Sequence, residues 1–229
     1  MTDAPKTAIL AGATGLVGGH LLRRLLDDAK YDAVVALTRR PLTGSHPKLT
    51  NLVVDFDRLE TEADRVPPAE DWFCALGTTI RQAGSQAAFR AVDHDYPLAL
   101  GRLAVAKGAE RFLIVSSMGA APDSRFFYNR VKGEIERDLG TLPLPVLRIF
   151  RPSLLLGERE QFRAGERFAS IIMKAAAPLL AGPLRRYRAI GADTVAAAMI
   201  AAANRRDDAG SRIVVYANDR LPGLAGEVF

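Results

Sequence analysis

The sequence predicts an α/β fold built on a doubly wound parallel sheet, and three observations carry that prediction. Short apolar runs alternate with stretches of helical periodicity from about residue 6 to residue 157. The runs are nearly continuous rather than alternately polar, as in strands buried on both faces. The chemically distinctive motifs fall at the ends of those runs, where ligands of open α/β sheets sit.

The elements follow in order. Thr7 to Ala11 is a first strand closed by glycine, and Val17, Leu21, Leu22, Leu25 and Leu26 then recur at helical spacing, giving strand, tight turn and helix. Ala33 to Leu37 is a second strand ending in Thr38-Arg39-Arg40-Pro41, and Leu52 to Val54 a third ending in Asp55. Trp72 to Leu76 is a fourth, stopped by Gly77, after which about Ser85 to Lys107 patterns as helix. A fifth strand, Phe112 to Val115, delivers Ser116-Ser117, and a helix from about Phe126 to Leu139 leads to a sixth strand near Val146 to Ile149. Such alternation calls for right-handed crossovers with helices on both faces. Beyond Arg151 the pattern loosens into helices near Gly165 to Ala177 and Asp193 to Asn204 and a last strand near Ile213 to Tyr216. With no linker or repeat, the 229 residues read as one domain, the part from about 158 to 229 capping a substrate pocket.

Composition narrows the function. Hydrophobic residues at 48% and charged residues at 25% are globular values. The formal charge of +5 comes mostly from arginines spread among carboxylates, which argues against a nucleic-acid partner. Cys74 has no disulfide partner and His20, His46 and His94 are too scattered for a metal pair, so a reducing, metal-free context is expected. No apolar run is long enough to span a bilayer, and a soluble, cytoplasmic protein is expected, with a homodimer or a protein partner open.

Gly12-Ala13-Thr14-Gly15-Leu16-Val17-Gly18 places three glycines at a fixed spacing between the first strand and the first helix. A pyrophosphate needs that arrangement, because it approaches backbone N–H groups at a helix N-terminus where a side chain would block it. Gly12, Thr14, Gly15, Leu16 and Val17 are therefore candidate cofactor contacts. At the end of the second strand an NAD site would carry an acid for the ribose 2′-hydroxyl; Arg39 and Arg40 stand there instead and point to a 2′-phosphate, hence NADP(H). Asp55 either accepts from the adenine amino group or caps a turn. Tyr128 and Lys132 are four residues apart on one helical face, and a nearby cation favours the phenolate, which suits Tyr128 to proton transfer.

Together with Cys74-Ala75-Leu76-Gly77-Thr78-Thr79, Phe89 to Pro97, Ser116-Ser117-Met118-Gly119-Ala120 and Phe150-Arg151-Pro152, these motifs make the chain resemble an atypical short-chain dehydrogenase/reductase, close to the Tat-interacting-protein branch, over residues from about 6 to 157. The resemblance implies a Rossmann-type fold, Tyr128 as general acid/base, Lys132 on the nicotinamide ribose, Leu76, Gly77 and Thr78 along the cofactor, Arg151 near the nicotinamide, and Ser116, rather than Ser117, on the substrate oxygen. Met118 stands where nucleotide-sugar enzymes of the extended type often carry a third hydroxyl residue, which counts against a sugar-nucleotide epimerase.

The remaining candidates are bland. Cys74 reads as core and His94 as structural, while Arg185-Arg186-Tyr187-Arg188 reads as a solvated loop before an acidic-substrate contact. The expected function is NADP(H)-dependent oxidation or reduction of a small alcohol or carbonyl. A cofactor-using dehydratase or epimerase, and an NADP(H)-binding regulator without turnover, are the rivals.

Overall fold

A computed structural model of the chain describes residues 5–157, 182–205 and 211–226. Seven parallel strands form the main sheet: β1 (Lys6–Ala11), β2 (Tyr31–Thr38), β3 (Leu49–Val53), β4 (Asp71–Cys74), β5 (Arg111–Val115), β6 (Val146–Arg151) and, at one edge, β9 (Ile213–Ala217). Their order is β3-β2-β1-β4-β5-β6-β9, with every pair parallel. A separate two-stranded ribbon pairs β7 (Leu155–Leu156) with β8 (Ile190–Gly191). This is the doubly wound Rossmann-type sheet that the alternating pattern predicts.

The near-continuous apolar strands are buried on both faces because helices cover both. On one side lie α1 (Leu16–Asp27) and a late helix, with Val17, Leu21 and Leu25 packed over Leu10, Val34 and Phe73. On the other, α4 (Tyr96–Ala106) and α5 (Phe127–Thr141) cover Trp72, Phe112, Ile114 and Leu147. Each fully buried leucine or phenylalanine of these faces contributes about 1.5–3 kcal/mol relative to exposure. The late helix, α6 (Ala192–Asn204), is buried almost along its whole length; its alanines admit close packing on α1. Arg24 on α1 holds Asp193 at the start of α6 through Nε and Nη2 at 2.8 and 2.7 Å.

Some boundaries move. β4 ends at Cys74, so residues 75–79 already leave the sheet toward the cleft. The predicted helix of residues 85–107 is broken into α3 (Gln86–Arg90), a π-helical turn (Ala91–Asp95) and α4, and two short pieces lie between the predicted elements: a 3-10 helix over Phe56–Arg65 and α2 (Ile80–Ala83). A last short helix, α7 (Leu221–Ala225), packs Leu221 and Leu224 into the α1 side of the core. The helix expected near Gly165 to Ala177 lies outside the described residues. Among the described residues no helix is long and apolar enough to cross a membrane, and no group of three His, Cys, Asp or Glu could hold a metal ion.

Candidate functional site

The strand order reverses between β1 and β4, and a crevice must open at their carboxyl ends. The glycine turn fills one side of it. Gly12 has φ +94°, and a Cβ there would lie 2.6 Å from the carbonyl of Ala75, so only glycine lets the chain leaving β1 pass the chain leaving β4. The Gly15 N–H donates to the Gly12 carbonyl at 2.9 Å and closes the turn. A Cβ on Gly18 would sit 1.9 Å from that same carbonyl oxygen, so glycine is what lets α1 start directly on the turn. The first turn of α1 carries no side-chain cap and no acid, leaving its N–H groups and dipole available to an anion. Thr14, Gly15 and Leu16 line the crevice, whereas the Val17 side chain points into the core, so only its backbone is available. Gly18→Ala is expected to cost about 1–3 kcal/mol through this overlap, read as a lower melting temperature, and to weaken dinucleotide binding by shifting the turn.

The crevice is a cleft of about 920 Å³. One wall is the glycine turn and α1; the other is formed by Gly77, Thr78, Gln82 and the helices that follow. Arg39 and Arg40 line it, joined by His20 and Arg23 from the exposed face of α1, and among the described residues no carboxylate does. Arg23 and His20 escaped the sequence reading; their i+7 and i+4 spacing from Leu16 is the signal that finds them. A second hollow of about 420 Å³, lined by Asp55, Phe56 and Asp57, shares Arg39 and Tyr96 with the first. Asp55 caps the 3-10 helix, accepting the Asp57 N–H at 3.0 Å, and also lines this hollow. The Tyr96 hydroxyl donates to Asp57 at 2.7 Å; burial, reinforced by that carboxylate, pushes the phenol up to about 12, so it stays a donor. Leu76 packs against the core on the α5 side and lines neither hollow.

α5 carries the remaining candidates on one face, at 128, 132 and 136. Tyr128 is 37% exposed, its ring 5.5 Å from that of Phe89. One turn on, Lys132 is buried; its Nζ lies 2.7 Å from Asp93 Oδ1, and a Cβ on cleft-lining Gly77 would come 3.9 Å from the same Nζ. Burial works to lower the Lys132 ammonium and Asp93 outweighs it, so its pKa is raised and it stays charged. The other oxygen of Asp93 accepts the Thr78 N–H at 2.8 Å. A turn further, Glu136 is buried and receives the Ser116 hydroxyl from the end of β5 and the Arg151 guanidinium from the end of β6, whose Nε lies 3.0 Å from Oε1. Ser116 and Arg151 are thus bound to Glu136 and line neither hollow, nor do Tyr128 and Lys132. Ser117 is also buried, with no partner for its hydroxyl among the described residues.

The other residues weighed from the sequence are accounted for by packing. Cys74 is fully buried and its thiol is pushed up to about 12, chiefly by that burial, which leaves it unreactive. His94, in the π-helical turn, has Nδ1 2.7 Å from Asp95 and Nε2 2.9 Å from Asp138 and ties the turn to α5. Arg185 and Arg186 are exposed, and Arg186 stacks over the Tyr187 ring.

Residues 12–139 match the family model described as NAD(P)H-binding. Protein HTATIP2 of Rattus norvegicus is 38% identical over 164 residues, 70% of this chain and 67% of that protein. Protein FMP52, mitochondrial, of Eremothecium gossypii is 36% identical over 159 residues, 69% of this chain and 70% of that protein. Among solved structures, MoeE5 in complex with UDP-glucuronic acid and NAD superposes with a TM-score of 0.69 over 92% of this chain and 76% of that one, at 20% identity, a likeness of fold. The chain belongs to the NAD(P)H-binding family, in the atypical short-chain dehydrogenase/reductase group with HTATIP2 and FMP52 as homologues.

Proposed function

We propose that the protein is an NADP(H)-dependent oxidoreductase acting on a small carbonyl or alcohol. The observation that carries this reading is the exposed Tyr128 one helical turn from a buried, charged Lys132 that lies directly behind cleft-lining Gly77. The cleft fits a dinucleotide on its own terms: glycines at 12 and 18, where a Cβ would strike the backbone of Ala75 or of Gly12, set the tight turn after β1, and the uncapped start of α1 that follows it faces the cleft. A bound nicotinamide supplies or accepts the hydride. Tyr128 Oη gives its proton to the carbonyl oxygen in reduction and takes it back in oxidation. Lys132, charged and buried behind Gly77, would hold the nicotinamide ribose. Ser116, whose proton goes to Glu136, acts through that carboxylate as a positioning residue rather than as a donor to the carbonyl.

NADP(H) rather than NAD(H) is supported by Arg39 and Arg40, which are exposed, make no ion pair among the described residues, and line a cleft with no carboxylate. Charge-assisted contacts to a 2′-phosphate are worth about 1.5–3 kcal/mol each before solvent screening. Wild type is therefore expected to bind NADPH roughly ten- to a hundredfold more tightly than NADH, and added salt to shrink the difference. Calorimetric titration of both cofactors against wild type and an Arg39→Ala/Arg40→Ala variant tests this: the variant should lose NADPH affinity and keep that for NADH. Equal wild-type affinities, or a variant that loses both alike, refute it.

A second reading, an NADP(H)-binding regulator without turnover, is favoured by one observation. Ser116 is buried and spends its hydroxyl proton on Glu136, which leaves the Tyr128 phenol without a serine hydroxyl beside it to orient a substrate oxygen.

A further inference from the structure

Asp93 is the most buried charged group around the site: 1% of its side chain is exposed, against 5% for its partner Lys132 and 7% for Glu136. It comes from the π-helical turn between α3 and α4, and its two oxygens have two different tasks. Oδ1 faces the Lys132 ammonium at 2.7 Å, and Oδ2 accepts the Thr78 N–H at 2.8 Å. Gly77 lies directly above the pair, since a Cβ there would be 3.5 Å from Asp93 Oδ1 and 3.9 Å from Lys132 Nζ. A widened helical turn displaces side chains from the register of a regular helix, and such turns are frequent at functional sites. His94, next in the chain, lies 2.9 Å from Asp138 on α5, so the turn is held to α5 at both Lys132 and Asp138.

We propose that Asp93 is the positioning residue of the nicotinamide half of the site, one buried carboxylate that sets both the ammonium meant for the ribose and the Gly77-Thr78 backbone beside it. A buried ammonium without a counter-charge either leaves its place or loses its proton, and both outcomes remove a fixed donor from behind Gly77. Asp93 prevents both, and because the same carboxylate holds Thr78, lysine and loop cannot drift independently. The inference rests on the reading that Lys132 contacts the cofactor.

The test is a double-mutant cycle read by cofactor binding. Asp93→Asn keeps the shape and can still accept from Thr78, but removes the charge. It should weaken NADPH about tenfold or more while leaving adenosine 2′,5′-bisphosphate, the half-cofactor without nicotinamide, unchanged. Lys132→Met should weaken NADPH similarly, and adding Asp93→Asn to it should cost less than about a further twofold, since a residue acting through a partner has little to lose once the partner is gone. The double variant carries no buried charge at either position, so it decides the question even where Asp93→Asn alone does not fold. Wild-type or tighter NADPH affinity in Asp93→Asn overturns the proposal. So does equal weakening of NADPH and the half-cofactor, which marks a merely structural role, or a full additional loss in the double variant. Unchanged NADPH affinity in Lys132→Met instead removes the lysine contact, and with it the functional reading on which the proposal stands.

Discussion

Tyr128→Phe is expected to lower turnover about a hundredfold or more, the usual worth of a positioned general acid/base, while NADPH affinity stays within a factor of about two. The substitution deletes one hydroxyl and keeps the ring, whose contact with Phe89 at 5.5 Å survives. Folding should be unaffected, because no described group accepts a hydrogen bond from that hydroxyl and the residue is 37% exposed. Loss confined to kcat identifies the phenol as the proton carrier. Undiminished kcat on a substrate that the wild type turns over removes Tyr128 from the chemistry and moves the proton transfer elsewhere.

Asp71→Ala is expected to be the most destabilising of these substitutions, by about 3–5 kcal/mol. Asp71 is fully buried at the amino end of β4 and gathers three donors from three neighbouring strands: Lys6 Nζ at 2.9 Å, the Tyr31 hydroxyl at 2.6 Å and Arg111 Nε at 2.6 Å. Burial and then the Asp71 charge push the Tyr31 phenol well above its ordinary value, so it remains a donor to the carboxylate. Truncation leaves the buried Tyr31 hydroxyl without its acceptor beside a void at the edge of the core, and takes from Lys6 and Arg111 the buried carboxylate they share, although Lys6 keeps Asn204 and Arg111 keeps Glu110. In a chain of this size the melting temperature should fall by on the order of 10 °C. A fall of less than about 2 °C would mean that water solvates the cations and that the cluster is peripheral to stability. Because the cluster lies at the end of the sheet opposite the cleft, the folded fraction should keep its cofactor affinity.

What the sequence reveals and what it conceals divide along the range of the interactions. Strands, glycine turn and the α5 face are local signals, periodicities of two to four residues and a glycine where a Cβ cannot fit, and they are legible at Gly12, Gly18, Tyr128 and Lys132. Arg39 and Arg40 are legible because the end of β2 has a known place beside the crevice. The partners are not. Nothing near Lys132 in the chain announces Asp93, whose reach depends on a π-helical turn inside what reads as one helix. Ser116 and Arg151 look free in sequence, yet both converge on Glu136, a residue that periodicity alone assigns to a helix face. The Lys6–Tyr31–Asp71–Arg111 cluster is hidden for the same reason, since four strands must align before any of its contacts exists.

The proposal that this site performs a reduction is decided by following NADPH consumption by the purified protein against a panel of aldehydes, ketones and quinones, with product analysis and the Tyr128→Phe variant in parallel. At least one compound is expected to be reduced with one NADPH consumed per product, and the variant to lose this activity while still binding NADPH. Tight NADPH binding with no consumption across the panel, identical in wild type and variant, would contradict it and leave the regulator without turnover as the reading that stands.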